Sequence, residues 1–166
     1  MASTFTLSEA YGATPTVVDP TSALNLLTAD IASGADTTTT PNANPITVPV
    51  SSTAYSYERY FRGKWTGVGT SVTSITVCHH LVTLPSGVTL YGGSKGNATY
   101  AQSVVTVSSI ATTNISTIDT TFADSSSLGS GTVSSFYEVL QLRVASTCTS
   151  PGNLGNLQIR FAWNEI

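Results

Sequence analysis

Near its C-terminus the chain reads LQIRFAWNEI. Along an extended backbone Leu157, Ile159, Phe161 and Trp163 fall on one side, and Gln158, Arg160 and Asn164 on the other. Successive strand residues point to opposite faces, so this run suits a strand with one face against a core. FYEVLQLRVA repeats the pattern, with Leu140, Leu142 and Val144 opposite Tyr137, Gln141 and Arg143. The runs SVTSITVCHH, GVTLYGG, YAQSVVTVSSIA and TNISTIDTTF also read as strands, and LPSG, GGSKGN, DSSSLGSG and SPGNLGN read as turns or loops. In such turns Gly supplies positive φ and Pro pre-sets φ. Six or seven strands and no long helical run imply an all-β fold, a single antiparallel β-sandwich or jelly-roll-like domain.

Composition supports this. Only 9% of residues are charged, against about 25% in ordinary domains. The abundant Thr and Val are β-branched and favour strands. A mean hydropathy of +0.15 with a net charge of −3 is unlike a disordered chain, which pairs low hydropathy with high charge. A near-neutral chain lacks the basic surplus that phosphate neutralisation needs, which argues against nucleic-acid binding. No apolar run is long enough for a membrane helix. MASTFTLSEAYG lacks the basic and apolar regions of a secretory signal. Without one, Cys78 and Cys148 are expected to be free, buried thiols.

The first fifty residues differ in texture. TFTL suits a short strand, and TSALNLLTADIA a turn or two of helix capped by Ser22. SGADTTTTPNANPITVPV then carries Pro41, Pro45 and Pro49, which interrupt any ladder. Residues 1–50 therefore read as an extended N-terminal arm or connection, and 51–166 as the sandwich domain.

YSYERYFRGKWTG, residues 55–67, gathers aromatic rings and basic groups in a chain otherwise poor in both. Alternation places Tyr57, Phe61 and Trp65 on one side, as core anchors together with Trp163. It places Glu58, Tyr60, Arg62 and Lys64 on the other, as either a solvated strand face with local ion pairs or an outward contact patch for an acidic partner protein. Arg59 breaks the pattern, which leaves an edge position, a snorkelling side chain, a buried ion pair or a bulge near Gly63.

The chemical motifs point away from catalysis. His79 and His80 are adjacent, so a regular strand sends them to opposite faces and they cannot share one metal ion. The single G-x-S-x-G, Gly92 to Gly96, falls in YGGSKGN, with no helical run after it to form a nucleophile elbow, and the nine acids are scattered. GSGTVSS and YGGSKGN match neither phosphate-binding fingerprint. The chain is expected to be no enzyme and to use no cofactor or metal. Two rivals remain. A carbohydrate- or receptor-binding module would use Tyr60, Tyr91, Tyr100 and Tyr137, and a hydrolase on a β scaffold would bring a His, an acid and a Ser together in a cleft.

Residues 55–77, YSYERYFRGKWTGVGTSVTSITV, followed by GVTLYGG, resemble small virion structural proteins of tailed bacteriophages. The lead-in NPITVPVSSTAYSYERY and the ending QLRVASTCTSPGNLGNLQIRFAWNEI are similar to the same group, although VCHHLVTLP departs from its usual more polar stretch. The resemblance implies a decoration or cement protein on the capsid surface, made in the host cytoplasm, with a β-sandwich or β-tulip-like domain. It further implies homo-oligomers, often trimers, and binding to the major capsid protein or other virion proteins through an N-terminal arm.

Overall fold

The computed structural model describes residues 3–19, 25–32, 44–80, 84–96, 100–116, 120–124, 127–149 and 158–166. Within them lie ten strands: β1 (Thr4–Tyr11), β2 (Thr16–Val18), β3 (Thr53–Tyr55), β4 (Arg59–Thr66), β5 (Val72–His80), β6 (Val88–Lys95), β7 (Thr113–Asn114), β8 (Thr120–Asp124), β9 (Tyr137–Ala145) and β10 (Gln158–Glu165). All are paired antiparallel. The large sheet runs β2-β1-β4-β9-β6-β7, with β3 also pairing β9, and the small sheet runs β10-β5-β8. The described residues contain no helix. The fold is all-β and sandwich-like, with more strands than the six or seven the sequence suggests.

Alternation builds the core between the sheets. Phe61, Leu90, Leu140, Leu142 and Val144 of the large sheet join Ile115 and Cys148, and Ile159 and Phe161 of β10 pack on them. Beside them Trp65 clusters with Val68, Val72, Ile75 and Leu128, covered by Phe5, Phe161 and Trp163. Phe5 lies at the junction, its ring centroid 5.2 Å from Trp65, 4.9 Å from Phe161 and 5.6 Å from Trp163. Gly63 makes this packing possible. The Trp65 indole folds back over it, and a Cβ there would run into the indole and come within 2.9 Å of Phe5.

In β5 the buried residues are Val72, Ile75 and Val77, a spacing no regular strand can place on one face. The register resolves this. Ala162 pairs with Thr76 but Asn164 with Thr73, so β5 carries one extra residue. Ser74, at φ 53, lies in that stretch. Along the chain, the bulge moves the inward face from the even position Val72 to the odd positions Ile75 and Val77.

The N-terminal segment departs from the expected arm. β1 pairs with β4 from Thr4–Thr66 to Ala10–Tyr60, and β2 pairs with β1, so residues 4–18 extend the large sheet. Ser8, Glu9 and Ala10 are buried. TFTL, residues 4–7, reads as strand in the sequence, but the rest of β1 does not, because the inward Glu9 faces Arg59 and interrupts the apolar alternation. Residues 25–32 hold no helix, and Leu26, Ile46 and Val48 pack on the core. Ser22, Pro41 and Leu157 lie outside the described residues. Cys78 and Cys148 form no disulfide, and the first is only half-buried on β5 while the second is buried.

Candidate interaction surface

β4 is central in its sheet, and both of its faces are covered. Phe61 and Trp65 are fully buried, whereas Tyr57 precedes the strand and is half-buried, as is Trp163. Arg59 is 0% exposed. Its Nε donates to the Asn25 carbonyl at 3.0 Å and Nη2 to that of Ala29 at 2.9 Å, while Nη1 donates to that of Ile31. Glu9 Oε1 is 3.8 Å away. Arg59 thus clamps the 25–31 loop onto the sheet. The β1–β4 register runs unbroken through Gly63, so no bulge there accounts for its inward position.

The contact patch expected at Glu58, Tyr60, Arg62 and Lys64 is not an open surface. Glu58 is 2% and Tyr60 0% exposed. Arg62 lies over the Tyr137 ring, 4.6 Å from its centroid, and Lys64 is ion-paired with Asp19. What covers this face is the stretch 100–112; its residues 100–111 read as a strand in the sequence, but the stretch forms none. Tyr60, Tyr137, Val139, Ala10 and Ala111 form a second core beneath it. The covering segment runs so close that a Cβ at Gly93 would collide with the Ile110 carbonyl.

Side chains, not a strand ladder, satisfy the polar groups of that segment. Ser108 Oγ donates to Glu58 Oε1 and accepts from Ile110 N at 3.0 Å and Ala111 N at 2.7 Å. Ser108 N donates to Gln141 Oε1 at 3.0 Å. Gln141 Nε2 in turn donates to the Ser56 carbonyl at 3.1 Å and the Thr106 carbonyl at 2.6 Å. Glu58 N donates to the Val104 carbonyl at 3.0 Å, and Tyr60 OH to Glu58 Oε2 at 3.2 Å. Burial, and then the Glu58 carboxylate, push the Tyr60 phenol well above the usual tyrosine range. Burial likewise raises Tyr100, whose OH donates to the Gly12 carbonyl at 2.8 Å. This network braces a loop, since each of its members is engaged with backbone or with another member.

Two surface features emerge beside it. Val104, Val105 and Val107, on the braced segment, are 37%, 39% and 58% exposed. On β9, two residues beyond Gln141, Arg143 lies 3.5 Å from the Tyr91 ring centroid and 5.5 Å from that of Tyr55. All three of these residues are half-buried. Tyr55 pairs with Arg143, and Tyr91 with Gln141, so three strands converge on one face. Alternation in β9 marks Arg143 as outward, but nothing local in the sequence brings Tyr55 and Tyr91 to it. Of the four tyrosines weighed for sugar binding, Tyr60 and Tyr137 are buried, and Tyr100 is tied to Gly12.

His79 and His80 end β5, and their side chains lie outside the described residues. Among the described residues no three His, Cys, Asp or Glu side chains group as a metal site would require. No protein-family model, curated protein or solved structure matches the chain.

Proposed function

We propose that this chain is a non-catalytic virion structural protein, a decoration or cement protein that binds and stabilises the capsid lattice of a tailed bacteriophage. The lattice is inferred from the resemblance of residues 55–77 and the C-terminal segment. The mode of action draws on one observation: Val104, Val105 and Val107 stay exposed on a segment braced from beneath by Glu58, Ser108 and Gln141. Apolar side chains held rigidly in solvent lose little freedom on docking, which favours association. The shell protein, and other copies of this chain, are the partners such a surface would serve. Quantitative mass spectrometry of density-purified particles tests the reading. A fixed ratio of this chain to the major shell protein is expected, and its absence from the particles would refute the assignment.

A carbohydrate- or receptor-binding module is the second reading, favoured by the half-exposed Tyr91 stacked on Arg143. Specific signals on a glycan array, without particle association, would select it.

A further inference from the structure

We infer that Arg143, Tyr55, Tyr91 and the adjoining valine ridge form a docking site for an acidic segment of a partner protein, a carboxylate flanked by aliphatic side chains. The inference deepens the proposed function and rests on it for the identity of the partner class. The described residues make two ion pairs, Arg59 with Glu9 and Lys64 with Asp19, and Arg143 is in neither. Its Nε is buried without a hydrogen-bond partner among the described residues. The Tyr91 ring, 3.5 Å away, restricts the guanidinium, with the Tyr55 ring 5.5 Å from it. A guanidinium fixed by aromatic stacking has lost much of its rotamer freedom. Its planar fork matches a carboxylate bidentately, which sets it apart from a mobile surface lysine.

The valine ridge decides between kinds of ligand. Gln141 precedes Arg143 by two residues on the same face, and it holds the carbonyl of Thr106 at 2.6 Å and that of Val104 at 3.5 Å. The braced turn therefore stands next to the cation. Val104, Val105 and Val107 offer no side-chain donors or acceptors for sugar hydroxyls, but they fit methyl-bearing side chains. A buried-rim Arg with Tyr neighbours and an aliphatic surround is also the composition of protein–protein hot spots. An acidic protein segment satisfies both halves of the surface, whereas an acidic glycan satisfies only one.

The test uses the full chain, labelled with 15N, and two synthetic peptides, acetyl-Leu-Asp-Leu-amide and its Asn counterpart. The Asp peptide should produce a saturable shift of the Arg143 Nε–Hε resonance. The Asn peptide should bind about tenfold more weakly, because it cannot form the charge-assisted pair. Arg143→Gln should abolish the preference while the rest of the spectrum stays in place. Should that variant not fold, the peptide pair on the unaltered chain still decides. Equal binding of the two peptides, or binding of neither, overturns the inference. So does glucuronate matching the Asp peptide, which would assign the site to acidic glycans. Failure here with the chain still present on particles would refute this site alone, whereas absence from particles would refute the proposed function.

Discussion

Replacing Arg59 with Met tests the reading that buried polar groups hold this molecule's loops. Met has similar length and no charge, so the cavity is small and the loss is mainly polar. The substitution removes three donors to the carbonyls of Asn25, Ala29 and Ile31, and leaves Glu9 buried without its cation at 3.8 Å. Breaking a buried pair costs roughly 3–5 kcal/mol. An orphaned carbonyl costs about 1–3 kcal/mol, less where water can reach it. Asn25, Ala29 and Ile31 are half-exposed, so their carbonyls recover part of the loss, and a total of about 3–5 kcal/mol is expected. At roughly 2–4 °C per kcal/mol for a chain of this size, the midpoint should fall by about 6–20 °C. Thermal unfolding followed by near-UV circular dichroism measures the midpoint, and urea unfolding the free energy. Adding Glu9→Gln should restore only part of the stability, because the carbonyl bonds are shorter than the ion pair. A loss below about 1 kcal/mol, the range of an ordinary surface substitution, would refute the clamp. Full rescue by Glu9→Gln would reduce Arg59 to a counter-ion.

Three further outcomes follow from particular residues. Tyr60 and Tyr100 hold their protons more tightly when folded than when unfolded. Their contribution is therefore complete below the ordinary tyrosine value of about 10 and is lost as pH rises above it. Tyr60→Phe should flatten that alkaline loss in a pH series of unfolding curves, at a cost near neutrality of about 1 kcal/mol for the bond to Glu58. Gly93→Ala drives a methyl into the Ile110 carbonyl and should destabilise by about 1–3 kcal/mol, with faster proteolysis of residues 100–112. Ser74→Gly relieves a positive φ on a non-glycine residue and should raise stability by up to about 1 kcal/mol in the same denaturant assay.

Much of the fold is legible in the sequence because period-2 alternation survives wherever a strand covers the core. It finds β9 and β10, and it places Phe61 and Trp65 correctly. It fails where polar residues face inward. Glu58 and Gln141 look solvent-facing by residue type, but they are buried because the 100–112 segment supplies their hydrogen bonds. That segment reads as a strand since Val104, Val105 and Val107 are β-branched, yet its backbone groups pair with side chains. β1 is obscured by Glu9, and the β5 bulge by the absence of a Gly at Ser74. The Tyr55–Arg143–Tyr91 cluster is not legible in the sequence, because it depends on which strands adjoin β9.

The proposed role of this chain is to reinforce a protein shell. The direct test is the thermal disruption of purified empty particles titrated with the chain, followed by light scattering. A disruption temperature that rises and levels off at a fixed ratio of chain to shell protein is the expected result. An unchanged temperature with the chain fully bound, or no binding at saturating concentration, would contradict it.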